Sequence, residues 1–239
     1  IREGLYAVTE THLLSLMTIY DLLYKAFGPR YWWPAESRLE VIVGAVLTQG
    51  VAWRNVEKAI NNLKNTGNMD FKALLHLDED TLSNLIHSTG YHRQKARKLK
   101  TLLTWINSRF EGDLDRMFNN PTAALRKELL NLWGIGPETA DSILLYAGGH
   151  PVFVVDAYTR RILSRLGMVH EEIEYQELQS YFHRHLPPQP ELYNEYHALL
   201  VKLGAEYCKK QRPGCGECPL KAGCRYGYVE ENLNRRENR

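Results

Sequence analysis

Apolar residues recur at helical spacing along nearly the whole chain. Leu13, Leu16, Met17, Tyr20, Leu23, Tyr24 and Phe27 share one stripe. Residues 10–27 therefore read as a helix stopped by Gly28-Pro29, after a loose lead-in over residues 1–8. Ser37-Arg38-Leu39-Glu40 has the form of a capping box, and Leu39, Ile42, Val43 and Val46 form the buried face of the helix it opens. That helix ends at Thr48-Gln49-Gly50, where Gly50 suits a left-handed cap. Trp53 starts the next helix in register with Val56, Ile60 and Leu63. Residues 55–131 read as a run of short helices, punctuated by Gly67-Asn68, Gly90, Gly112 and Asn119-Asn120-Pro121. Residues 157–203 are helical again, with a break at Pro187-Pro188-Gln189-Pro190 before the last long helix. No strand pattern of useful length and no repeat appears, so the pattern predicts an all-α protein.

Between these runs lies the most informative stretch, residues 132–162. Gly134-Ile135-Gly136 is a tight turn whose glycines reach conformations that other residues avoid. Pro137 follows where proline starts a helix without losing a needed donor. Ala140, Ile143, Leu144 and Ala147 then fall at helical spacing, up to Gly148-Gly149. A glycine turn feeding a helix N-terminus presents free backbone N–H groups, which make a seat for phosphate. A short apolar run, Val152 to Val155, next delivers Asp156 to the start of another helix, where Asp-Ala-Tyr-Thr-Arg is a plausible N-cap. Upstream, Tyr31-Trp32-Trp33-Pro34 packs three large aromatics into one loop. Core packing accounts for these residues, and for Trp53 on its apolar stripe, without invoking a ligand.

With 239 residues the chain can bury one substantial core or two modest ones. No apolar run approaches a membrane span and no signal-peptide pattern opens the chain, which leads us to expect a cytoplasmic protein with no membrane partner. The net charge of +2 is too small to announce a polyanion-binding protein, but the basic residues cluster. Residues 92–100 hold five Lys/Arg and no acid; residues 208–225 hold five against one Glu. Each is either a solvated face or a phosphate-binding patch. All four cysteines lie in the last 32 residues, as Cys208-x6-Cys215-x2-Cys218-x5-Cys224. A disulfide scaffold would spread them through the fold, whereas this clustering indicates metal. Four thiolates in 17 residues suit one tetrahedral zinc or one cubane iron–sulfur cluster.

Leu132 to Gly136, followed by Asp156, resembles the helix-hairpin-helix and Gly-Pro-Asp signature of DNA glycosylases related to endonuclease III. The cysteine spacing matches the [4Fe–4S] loop of endonuclease III and its adenine-glycosylase relatives. Trp32-Trp33-Pro34, Gly44-Ala45-Val46-Leu47-Thr48-Gln49 and the aromatic at Trp53 resemble the 3-methyladenine glycosylases of that superfamily, as does the helix Glu138-Thr139-Ala140-Asp141-Ser142-Ile143-Leu144. The resemblance runs from about residue 12 to residue 226.

It implies two helical domains: residues 29–140 as a six-helix domain carrying the hairpin, and residues 1–28 with 141–239 as a cluster-bearing domain. DNA is expected to enter between them. It further implies that Asp156 is the catalytic carboxylate. Trp32, Trp33, Pro34, Trp53 and Glu138 would line a base pocket, and Gln49 would fill the gap left by an everted base. The amides of Gly134, Ile135 and Gly136 would hold a phosphate, with a monovalent cation beside them. Lys95, Arg97 and Lys98, and Lys209, Lys210 and Arg212 in the cluster loop, would meet the DNA backbone. Cys208, Cys215, Cys218 and Cys224 would hold the [4Fe–4S] cluster.

In superfamily members that also cleave the strand, a lysine two residues after the second hairpin glycine forms a Schiff base; here that residue is Glu138, and a carboxylate cannot. The expectation is thus a monomeric, monofunctional glycosylase acting on damaged double-stranded DNA, with alkylated purines as its bases. Electron-rich indole faces attract such cationic bases. The 3-methyladenine enzymes can lack the cysteine cluster, so this chain would be a cluster-bearing variant. Oxidised pyrimidines or mismatched thymine as substrates, a lesion-binding module without catalysis, and a zinc-stabilised interaction domain stay open on the residues alone.

Overall fold

The computed structural model describes residues 14–227, and among these every regular element is helical. The α-helices are α1 (Leu16–Phe27), α2 (Arg38–Leu47), α3 (Trp53–Asn65), α4 (Phe71–His76), α5 (Glu79–Leu85), α6 (His92–Phe110), α7 (Leu114–Phe118), α8 (Thr122–Leu130), α9 (Pro137–Ser142), α10 (Ala157–Leu166), α11 (Tyr175–His185) and α12 (Pro190–Glu206). After α9 the chain continues without a break as a π-helical turn, Ile143–Ala147. The first helix starts at Leu16 because the Ser15 hydroxyl accepts from the Thr18 N–H at 3.0 Å. Residues 10–13 of the expected helix, the lead-in and the tail after Tyr228 lie outside the described residues.

The chain divides into two compact units. One comprises Trp33–Val154 with Gln189–Asn194; the other comprises Val155–Pro188 and the described parts of Ile1–Trp32 and Glu195–Arg239. The first unit is built on a single hydrophobic cluster running from Leu39 to Val152. Helix α2 is its axis. Every residue from Leu39 to Leu47 is buried, so α2 is enclosed on all sides and is not the one-faced helix its sequence suggests. Ser37 caps α2 through the Glu40 N–H at 3.2 Å, and Glu40 reaches back to the Glu36 N–H at 3.1 Å. Buried Glu40 is also paired with Lys64 at 2.9 Å. The run of short helices contains one long exception, the 19-residue α6. The sequence-based boundary at residue 140 falls inside the helical segment formed by α9 and the π turn. Ala140, Ile143, Leu144 and Ala147 belong to the same cluster as α2, so the unit continues past it.

In the second unit the Tyr196 hydroxyl of α12, itself fully buried, donates to the Leu16 carbonyl at 2.8 Å. Tyr20 meets Tyr196 edge-on and Phe27 stacks on Tyr207. The first and last long helices therefore share one core.

Either side of the hairpin, α8 and α9 are locked by a bidentate pair: Arg126 Nε and Nη2 donate to the Asp141 carboxylate at 2.6 and 3.0 Å. Asp141 is completely buried. Breaking such a pair strands a charge in the interior. Asp141→Ala is expected to lower stability by about 3 kcal/mol or more in urea unfolding. Exchanging both partners for apolar residues of matching size should cost clearly less.

Candidate active site

The hairpin, residues 132–136, joins α8 to α9. Buried Ile135 donates its N–H to the Leu132 carbonyl at 3.1 Å, which closes the turn. Gly134 takes φ 81°, and a Cβ there would lie 2.5 Å from Lys98 Cγ, so backbone conformation and space both require glycine. Gly136 is the N-cap of α9 with Pro137 at the first helical position, and no side chain caps this end. The leading N–H groups of α9 lack intrahelical acceptors, which leaves them for an anion.

Gln49 braces this turn. Its Nε2 donates to the Gly134 carbonyl at 3.2 Å and to Thr139 Oγ1 at 2.8 Å, while Lys98 Nζ donates to its Oε1 at 2.5 Å. Acting as a wedge in DNA would require Gln49 to release these partners. Arg97 stacks its guanidinium 4.4 Å over the ring of Trp133, a hairpin residue that is half-exposed. Lys95 does not fit the expected phosphate contact. It is only 2% exposed, and its ammonium donates to the carbonyls of Leu47 and Thr89, both at 2.8 Å. Burial, with the nearby Lys98 charge, brings its pKa down to about 8. Lys95 ties the end of α2 to the turn before α6.

The expected pocket residues divide. Trp33 packs edge-on to Trp53, with ring centroids 5.1 Å apart, and tilts against Tyr146 at 5.2 Å. Gly44 of α2 makes room for this indole, since a Cβ there would sit 3.0 Å from it. All three rings are partly buried at the edge of the hydrophobic cluster. Trp32 belongs to the other unit, and Pro34 is exposed. Glu138 is exposed in the first turn of α9.

Asp156 caps α10. Its Oδ1 accepts from the Thr159 N–H at 2.7 Å. The other oxygen faces His197 Nε2 of α12 at 3.6 Å, an ion-pair contact longer than a hydrogen bond. Both side chains are largely shielded from water. Burial pushes the carboxyl up, but the His197 imidazole and the Thr159 N–H outweigh it and hold Asp156 below the usual carboxylate range. A buried carboxylate kept ionised can stabilise positive charge developing beside it.

The four cysteines line one cavity. Among the described residues no group of three or more His, Cys, Asp or Glu side chains closes around a single ion. Arginines of α10 pin the loop that carries them. Arg161 donates to the carbonyls of Cys208 and Gly204, at 2.8 and 3.1 Å. Arg165 donates to the Lys209 and Lys210 carbonyls, at 2.7 and 3.1 Å, and to Cys208 Sγ at 3.3 Å. Burial pushes the Cys218 thiol up to about 11. Lys209, Lys210 and Arg212 point their charges into solvent around this loop.

The hairpin and the capped aspartate lie within the segment that matches one known family. Residues 43–188 match the HhH-GPD superfamily of base excision DNA repair proteins. The chain belongs to this superfamily. It is 45% identical over 217 residues to a Methanocaldococcus jannaschii protein provisionally named a DNA repair glycosylase, covering 90% of this chain and 98% of that one. It is 30% identical over 194 residues to endonuclease III of Sulfolobus acidocaldarius, covering 81% and 83%. A non-covalent endonuclease III–DNA complex superposes with a TM-score of 0.78 at 25% identity, covering 92% of this chain and 99% of that one. The Helicobacter pylori 3-methyladenine DNA glycosylase bound to 1,N6-ethenoadenine superposes with a TM-score of 0.70 at 28% identity, covering 80% and 97%. This chain is a base-excision DNA glycosylase, and DNA is its partner. Among the described residues no helix is long and apolar enough to cross a membrane.

Sequence reading did not single out His197, Tyr146 or Trp133. If His197 holds Asp156 ionised, His197→Phe should move the acidic limb of single-turnover base release to higher pH. An unmoved limb would remove His197 from that role.

Proposed function

We propose that this glycosylase is monofunctional and releases purines alkylated at N3 or N7 from double-stranded DNA. The observation that supports this most is the Trp33–Trp53–Tyr146 cluster: an electron-rich aromatic surface able to hold a cationic base by its face. The structural likeness to a 3-methyladenine glycosylase supports the same reading.

The chemistry asks little of the protein once such a base is extruded. As the C1′–N bond breaks, its electrons pass to the base and neutralise it, so no acid is needed to drive it off. Positive charge grows on the sugar, where the ionised Asp156 stabilises it. Water then adds to C1′ and loses a proton, leaving an abasic site. Glu138 stands where a lysine would form an imine, so the strand is left intact.

Cys208, Cys215, Cys218 and Cys224 would hold a [4Fe–4S] cluster, as an all-thiol donor set around one cavity permits. The cluster would fix the loop that carries Lys209, Lys210 and Arg212 to the DNA backbone. A monovalent cation at the hairpin carbonyls would complete the phosphate seat. The enzyme would act as a monomer, in the compartment that holds the chromosome.

The endonuclease III relatives favour a second reading, excision of oxidised pyrimidines or mismatched thymine. The two separate in one experiment. Incubation with methylated duplex should release 3-methyladenine or 7-methylguanine, Asp156→Asn should lose at least about 100-fold in rate, and borohydride should trap no adduct. Trp33→Ala and Trp53→Ala should each cost about 10-fold or more in kcat/KM. Release of oxidised pyrimidines with a trapped adduct would overturn the proposal. Iron and acid-labile sulfide in equal amounts in the purified protein test the cluster; stoichiometric zinc would exclude it.

A further inference from the structure

Asp156 ends a segment, residues 151–156, that has no regular secondary structure, and its own backbone is extended, with φ −118° and ψ −177°. No helical hydrogen bonds hold such a segment. The direction in which Asp156 presents its carboxylate therefore depends on what fixes the residue before it. That residue, Val155, is buried, and its N–H donates to the Tyr175 hydroxyl oxygen at 3.3 Å. A buried amide left without an acceptor is costly, so the phenol oxygen pins this point of the chain.

The phenol is itself held by a packed element. Tyr175 is the first residue of α11, and the buried residues of that helix, Leu178, Gln179 and Phe182, follow it at helical spacing on one face. Phe182 meets Tyr196 of α12 edge-on, with ring centroids 5.7 Å apart. The next residue of α12 is His197, which faces the second Asp156 oxygen at 3.6 Å. Helix α11 thus braces the carboxylate twice, through the backbone before it and through the helix that carries His197. Val155, Asp156, Tyr175, Phe182, Tyr196 and His197 all belong to the same unit.

We propose that Tyr175 is a positioning residue for base excision: its hydroxyl oxygen, by anchoring the Val155 N–H, aims the Asp156 carboxylate at the sugar. Tyr175 acts through Asp156 and not on the substrate. Its effect is geometric, because a misplacement of about 1 Å at a reacting group can cost about 100-fold in rate. Taking away the hydroxyl leaves the ring to pack, so α11 keeps its place. The inference rests on the role proposed for Asp156, and is independent of which base is excised.

The test uses the full chain and Tyr175→Phe, which removes only the hydroxyl. Single-turnover base release is measured on methylated duplex, or on oxidised-pyrimidine duplex should wild type release that base instead. The rate at saturating duplex should fall about 10–100-fold, while the duplex concentration for half-saturation moves by less than about 2-fold. Hydrogen exchange at the Val155 amide should quicken by about 10-fold or more. In an Asp156→Asn background the same substitution should cost less than about 2-fold, whereas a general loosening of the fold would slow both backgrounds alike. An unchanged release rate overturns the proposal, as does an equal loss in both backgrounds or an unchanged Val155 amide. Asp156→Asn alone separates two kinds of failure. If it releases base as fast as wild type, the reading of Asp156 falls and the positioning role with it. If it loses activity while Tyr175→Phe does not, only the positioning role falls. Should Tyr175→Phe not fold, wild-type exchange decides: a Val155 amide that exchanges as fast as a solvent-exposed one overturns the proposal.

Discussion

A carboxylate that stays ionised while sheltered from water is the constraint on which the proposed chemistry depends. Asp156 meets it by two local devices. It caps α10, so a backbone N–H satisfies one oxygen, and it faces His197 across a short gap. Burial works against both and loses. The sign has a consequence for the whole molecule. A carboxyl held below its unfolded value stabilises the fold above the ordinary carboxylate range, and that contribution is lost as pH falls through the folded value. On the proposed mechanism, the group that does the chemistry would therefore also help hold α10 and α12 together.

A second local solution governs the hairpin. A turn that offers N–H groups to phosphate must not let its own side chains cover them, hence glycine at 134 and 136. Holding so bare a turn in place falls to its neighbours. Gln49 bonds to its carbonyl edge, Lys98 lies against Gly134, and the Arg126–Asp141 pair clamps the flanking helices. Most of the polar groups near the hairpin are thus spent on its shape. The charges left over, such as Arg97 on Trp133, sit on its exposed side.

Much of this was legible in the sequence. The capping serine of α2, the hairpin, the N-cap role of Asp156 and the absence of strands among the described residues follow from local chemistry acting over a few residues. Lys95 shows how a basic run misleads. Five cations in 92–100 suggest a phosphate surface, yet Lys95 falls at the spacing of Leu99, Leu102 and Ile106, on the buried stripe of α6. Periodicity outranked charge, and the lysine found two carbonyls inside. His197 was not legible, because its meaning lies in a residue 41 positions away. Tyr146 was hidden differently: it sits in the π-helical turn, where spacing rules drawn from the α-helix no longer say which way a ring faces.

The state of Asp156 is therefore the quantity to measure. Carbon-13 labelling of the aspartate carboxyls, with the Asp156 signal assigned by comparison with Asp156→Asn, allows a direct titration by NMR. The account predicts a carboxylate ionised throughout the neutral range, with its midpoint below that of free aspartate, near 3.9. A midpoint clearly above that value would contradict it: burial would then have won, and His197 and the helix cap would not be holding the charge that the reaction needs.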